Sequence, residues 1–197
     1  MEKNKKSWKR SVLEWALLIG VFVLLNVTGW NRPISTFLHR AAFAVGLFQP
    51  KIPKLDSAPV EADLNMPLRT LSGESANLED FRGKTVFLNF WATWCPPCLA
   101  ELPAIQGLFE MMQSENVSIV TVATDQSLSQ VKDFLNDRPY TFPVYRLAGS
   151  VPKAFLNNTI PATFVIDAEG RIVYRKLGMA DYSSEQFKDF LRSTAQK

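Results

Sequence analysis

Cys95 and Cys98 are the only cysteines in the chain, and two prolines, Pro96 and Pro97, separate them. Three chemistries are open to such a pair. A structural zinc site needs four ligands, and the chain offers these two thiols plus a single histidine, His39, in a distant segment, so no metal is expected. A structural disulfide closing so small a ring contributes only roughly 2 kcal/mol in the chain-entropy model, little for a chain with this much apolar content. Thiol–disulfide exchange is the remaining chemistry, with Cys95 as nucleophile and Cys98 as the resolving thiol. With no third cysteine, peroxidase chemistry is not expected.

Exchange chemistry needs a scaffold that lowers the pKa of one thiol and shelters the other. "TVFLNF", residues 85–90, directly precedes the pair and is a nearly continuous apolar run, as in a strand buried on both faces. A helix follows, with Leu102, Ile105, Phe109 and Met112 on one face. Cys95 then falls at a helix N-terminus, where unpaired N–H groups and the helix dipole stabilise a thiolate, and Cys98 lies one turn further in. Pro97 suits the first turn, where a missing N–H is tolerated. Pro96 stiffens the ring and also removes a donor beside the Cys95 sulfur, two effects of opposite sign.

The strand "VSIVTVA", residues 117–123, completes a right-handed parallel βαβ unit. Ser127 to Gln130 reads as a capping box opening another helix. "ATFVID" (162–167) and "RIVYRKL" (171–177) flank Asp167-Ala168-Glu169-Gly170, a hairpin with Gly170 at positive φ. A second capping box, Ser183 to Gln186, opens a C-terminal helix with Phe187, Phe190 and Leu191.

The N-terminal part has a different composition. Lys3, Lys5, Lys6, Lys9 and Arg10 precede an apolar run from 11 to 30 whose polar exceptions, Glu14 and Asn26, sit near its ends. Its length matches about 30 Å of helix, the thickness of a bilayer core, and Trp8, Trp15 and Trp30 suit the interfaces. The expected organisation is a cytoplasmic tail (1–10), a transmembrane anchor (11–30), a membrane-proximal segment and linker (31–61), and an exported domain (62–197). A cleaved signal peptide is the competing reading, with a weak cleavage site at Val27-Thr28-Gly29. Residues 34–48 carry apolar side chains at helical spacing, as in an amphipathic helix or a helical start to the linker. Residues 49–63 mix prolines with charges, as in a spacer. Once the basic N-terminal cluster and its two acids are set aside, basic and acidic residues balance, so no nucleic-acid partner is expected.

"FLNFWATWCPPCLAELP" resembles the thioredoxin superfamily, and within it the membrane-anchored TlpA/ResA-like thiol–disulfide oxidoreductases. The resemblance covers residues 62–195 and is reinforced by "LRTLSGESANLEDFRGK" before the first core strand and by the segment 122–146. It implies an α/β thioredoxin fold: a mixed central sheet flanked by helices, with extra N-terminal strands and a central insertion. Pro161 in "TIPATFVID" is implied to be a cis-proline that brings the Ile160 backbone beside Cys95 and offers a substrate a strand to pair with. Without the resemblance, Pro161 stands as an ordinary strand-start proline.

Thioredoxins carry a buried aspartate six residues before the first cysteine. This chain has Asn89 there, as the TlpA/ResA-like proteins do, together with an acidic residue three after the second cysteine, Glu101. Spacing i, i+3 puts Glu101 on the helical face of Cys98, either as a partly buried proton relay or as a solvated glutamate. Trp94, with Pro96 and Pro97, is expected to shield the disulfide and dock partners, and Trp91 to pack in the core.

The resemblance further implies a protein-disulfide reductase acting on exported proteins, apocytochrome c first and copper-site assembly factors next. Electrons would come from a transmembrane thiol transporter, since the chain has no flavin or nicotinamide fingerprint and no cofactor is expected. A disulfide-forming oxidant on the same scaffold, and an anchored binding module with incidental cysteines, are the rival readings.

Overall fold

A computed structural model describes residues 14–17, 19–20, 60–156 and 158–196. The expected anchor falls mostly outside these residues, as do the tail, the 34–48 segment and most of the spacer. The described fragments at 14–17 and 19–20 are helical, and no helix among the described residues is long and apolar enough to cross a membrane.

Among the described residues the chain is built on one mixed sheet of eight strands. In chain order these are β1 (Val60–Glu61), β2 (Pro67–Thr70), β3 (Ser75–Asn77), β4 (Thr85–Trp91), β5 (Val117–Ala123), β6 (Val144–Leu147), β7 (Ala162–Ile166) and β8 (Arg171–Leu177). Across the sheet the order is β1-β8-β7-β4-β5-β6-β2-β3. Helix α1 (Pro96–Met112) links the parallel pair β4 and β5; α2 (Leu128–Asn136) precedes β6; α3 (Glu185–Ala195) closes the chain.

β4 is buried along its whole length, as its apolar run requires, and pairs parallel with β5 and antiparallel with β7. Its side chains alternate between two cores. Phe87 and Trp91 face a cluster to which all three α-helices contribute, through Leu102 and Ile105 on α1, Val131 on α2, and Phe187 and Leu191 on α3. Val86, Leu88 and Phe90 face the other cluster, closed by Leu64, Met66, Leu78 and Phe155. The helices therefore share one face, and the other is covered by the 62–66 loop and by 3-10 turns at Leu78–Phe81 and Lys153–Phe155.

Several local expectations are corrected. β1 lies inside the stretch read as spacer: Val60 and Glu61 pair with Ile172 and Arg171, so the sheet includes these two residues ahead of position 62. α2 begins after Ser127 as expected, but the capping box does not form; the Ser127 hydroxyl pairs with that of Ser129 instead. α3 is capped by Ser184 rather than Ser183, its Oγ accepting the Phe187 N–H at 3.4 Å. A capping box absent from the sequence reading closes the first 3-10 turn: the Asn77 side chain accepts the Glu79 N–H, and Asp80 accepts the Asn77 N–H. The 167–170 hairpin forms, with Gly170 at φ +89°, where a Cβ would come 2.9 Å from Arg82 Nη1.

The segment 122–146 is tied back to α1 by one side chain. Gln106 Oε1 accepts the N–H groups of Thr141 and Phe142, and its amide donates to Thr141 Oγ1 at 2.8 Å. That anchor leads directly into β6, which the sequence reading did not isolate.

Candidate active site

Where β4 ends, the chain makes a short turn and enters α1 at Cys95. Cys95 is the N-cap residue, and its sulfur accepts the Cys98 N–H at 3.3 Å. Pro96 and Pro97 occupy the first two helical positions, where N–H groups have no partner within the helix. The Cys98 amide is thus the donor left to serve the outer sulfur, and it does.

Cys95 and Cys98 are joined as a disulfide with Cα atoms 5.3 Å apart. The two sulfurs have different surroundings. Cys98 is fully enclosed, whereas Cys95 keeps 4% exposure beside Trp94, which is 61% exposed. Pro96 and Pro97 are partly buried between them. Trp91 is fully buried and packs on Phe134, as expected of a core residue.

The peptide bond between Ile160 and Pro161 is cis, as the resemblance implied. The Ile160 carbonyl lies 3.9 Å from Cys95 Sγ, so the turn before β7 faces the outer sulfur across 65 positions of sequence. Pro161 itself is buried and Ile160 partly so.

Glu101 is wholly buried, which rules out the solvated-glutamate reading. Its Oε1 accepts a hydrogen bond from Asn89 Nδ2 at 2.8 Å, and its Oε2 accepts the Ala180 N–H at 3.3 Å. Asn89 also donates to Thr163 Oγ1 at 3.0 Å. Burial pushes the Glu101 carboxyl up to about 8, against the opposing pull of these hydrogen bonds and of Lys176. Tyr174 and Tyr182 line the same enclosure; burial first, and the Glu101 charge second, hold their phenols above the ordinary range.

A second group of residues shapes the turn that carries Trp94, and the sequence reading missed it. The buried carboxylate of Asp125, just beyond β5, accepts both the N–H and the hydroxyl of Thr93. Thr124 donates its N–H and its hydroxyl to the Trp91 carbonyl. Arg146 on β6 in turn donates to the carbonyls of Asp125 and Gln126. The end of β5 thereby fixes the loop that presents Trp94 and Cys95. The one signal for this in the sequence is a Thr-Asp pair directly after a buried strand.

No cluster able to hold a metal ion occurs among the described residues. A vicinal cysteine pair at a helix start, facing a cis-proline turn on a mixed α/β sheet, is the constellation of a thiol–disulfide exchange catalyst. The Redoxin family model matches residues 52–190. The thiol-disulfide oxidoreductase ResA of Geobacillus thermodenitrificans is 31% identical over 189 residues, covering 95% of this chain and 98% of that protein. Among solved structures, StoA from Bacillus subtilis has 30% identity and a TM-score of 0.53 over 70% of this chain and 98% of its own. A thiol:disulfide interchange protein of Chlorobium tepidum has 25% identity and a TM-score of 0.58, over 72% of this chain and 99% of its own. The chain belongs to the Redoxin family, as a TlpA/ResA-like thiol–disulfide oxidoreductase of the thioredoxin superfamily.

Proposed function

We propose that this oxidoreductase is a membrane-anchored reductant that works outside the cytoplasm on disulfides of exported proteins, with apocytochrome c before haem attachment as the leading substrate. The basic cluster and the apolar run over 11–30 support the anchor and its orientation, with the N-terminus cytoplasmic. The length-wise likeness to a thiol-disulfide oxidoreductase, ResA, supports the exchange chemistry, and the direction of electron flow follows the family resemblance of the sequence. The observation that carries the exchange reading is the asymmetry of the pair: Cys95 lies beside an exposed tryptophan and the Ile160 carbonyl, while Cys98 is sealed next to a helical turn bearing Glu101.

In the reduced enzyme the Cys95 thiolate, stabilised by the Cys98 N–H and the helix start, attacks one sulfur of the target disulfide. A mixed disulfide forms and one target thiolate leaves. Where the Glu101 carboxyl is ionised, Cys98 then gives it its proton and attacks Cys95 Sγ. The second target thiolate leaves and the Cys95–Cys98 disulfide closes; the target has gained two electrons, its two thiolates take up protons from solvent, and Glu101 releases to solvent the proton it took from Cys98. A Glu101 pKa of about 8 lies close to that of a thiol, so the proton transfer is near balance. Trp94, Pro96, Pro97 and Ile160 form the docking rim, where a substrate strand pairs along the Ile160–Pro161 backbone. A transmembrane thiol transporter restores the dithiol.

The test is a Cys98→Ser variant in cells, followed by mass spectrometry of what stays covalently attached to Cys95. Recovery of an exported cysteine pair such as the apocytochrome haem-attachment motif is the expected result. Recovery of no exported protein overturns the substrate assignment, and a reduction potential as high as that of dedicated oxidants overturns the direction of electron flow.

A further inference from the structure

The strand registers bring four polar side chains into one line across the sheet. Asn89 on β4 lies opposite Thr121 on β5 and, on its other side, opposite Thr163 on β7; Thr163 in turn lies opposite Lys176 on β8. Period-two alternation puts this row on the face of Phe87, Trp91, Val165 and Tyr174, the face that carries α1. Thr121, Asn89 and Thr163 are buried, and Lys176, partly buried, is the end of the row that reaches solvent.

A polar row under a helix is costly unless its members are paired. Asn89 spends its amide on Glu101 and Thr163, and Thr121 donates its hydroxyl to the Pro143 carbonyl at 2.7 Å. Lys176 takes part in none of the ion pairs found among the described residues. It is the cation whose field acts on Glu101. The other titratable groups facing Glu101 are Tyr174 on β8, Tyr182 in the segment before α3, and Cys98 on its own helix. Both phenols stay neutral at ordinary pH, so the row's one full positive charge belongs to Lys176.

We propose that Lys176 is a positioning residue for the exchange reaction: its ammonium, at the solvent end of the polar row, sets how readily Glu101 releases and retakes the proton it trades with Cys98. The inference rests on the reading of Glu101 as the proton carrier. A cation whose field reaches the carboxyl favours the carboxylate, and its removal leaves burial opposed only by the hydrogen bonds from Asn89 and Ala180.

The experiment is an infrared titration of the oxidised full-length chain, with the Glu101 band assigned as the one that Glu101→Gln removes. Lys176→Met should move its midpoint upward by roughly half a unit to one unit, about three- to tenfold in proton affinity. Lys176→Arg should restore the wild-type midpoint. The pH profile for closure of the Cys95–Cys98 disulfide should move in parallel, which a merely structural lysine would not produce. A Lys176→Met midpoint equal to wild type overturns the proposal and leaves the Glu101 reading standing. A closure profile that Glu101→Gln leaves unchanged overturns the Glu101 reading and this inference with it. Should the Met variant fail to fold, Lys176→Gln takes its place, and an unmoved midpoint there is equally fatal.

Discussion

Asn89 and Glu101 meet in the core as amide donor and carboxylate acceptor, 2.8 Å apart, with neither side chain reaching solvent. The acid that thioredoxins place on the strand stands here on the helix, and the strand contributes its hydrogen-bond partner. The carboxyl is thus tied to the turn that holds the inner cysteine.

Glu101 makes stability pH-dependent with a definite sign. Its pKa rises from 4.5 in the unfolded chain to about 8 in the fold, so the native state holds the extra proton between those values. The stabilisation is complete below pH 4.5 and is lost as pH rises toward and through 8. The difference corresponds to an upper figure of about 5 kcal/mol. Glu101→Gln should flatten this slope and gain stability over wild type at pH 9, measured by denaturant unfolding of the oxidised protein at pH 5, 7 and 9.

Asn89→Asp replaces the donor with a second buried acid. Two carboxyls at hydrogen-bond distance cannot both ionise and must share a proton. The variant should lose more than about 2 kcal/mol relative to wild type at pH 8, and recover most of it at pH 5. An equal loss at both pH values would assign the cost to packing alone.

The two tryptophans of "FWATW" should separate cleanly. Trp94→Ala removes a 61% exposed side chain, so stability should change by less than about 0.5 kcal/mol. KM for a protein disulfide should rise about fivefold, and kcat should change less. Trp91→Ala opens a cavity in a site with no exposure and should cost about 3–5 kcal/mol by thermal or denaturant unfolding.

Asp125 should behave as a loop anchor. Asp125→Ala leaves the Thr93 N–H without its acceptor, a loss of about 1–3 kcal/mol, and the exchange rate should fall several-fold because Trp94 and Cys95 are no longer held in place. Asp125→Asn keeps one acceptor oxygen and should retain most of the rate. Insulin-reduction kinetics on both variants distinguish the two outcomes.

Long apolar runs were legible and short, half-exposed ones were not. β4, β5 and the β7–β8 hairpin announce themselves by unbroken β-branched stretches or by a glycine turn, and the Cys-Pro-Pro-Cys spacing locates the site on them. β1, β3 and β6 have two to four residues, partly exposed, and no periodicity can register over that length. The α3 cap shifted by one because Ser183 and Ser184 compete for the same N–H groups, and at α2 the Ser127 hydroxyl turned to that of Ser129; a four-letter pattern cannot rank such choices. The environment of Glu101 was illegible for a different reason. Thr163 meets Asn89 across 74 positions and Ala180 meets Glu101 across 79, contacts created by sheet order alone. Spacing placed Glu101 beside Cys98; only topology could bury it.

Among the described residues, the two outermost strands of the sheet are also its shortest, Val60–Glu61 at one margin and Ser75–Asn77 at the other. An unpaired margin is a template on which a foreign chain can build a ladder and start to aggregate. Two or three residues give such a ladder almost nothing to extend along. Neither described margin therefore offers an unfolded chain much to pair with, while the Ile160 carbonyl stands beside Cys95 at the end of the sheet where exchange takes place.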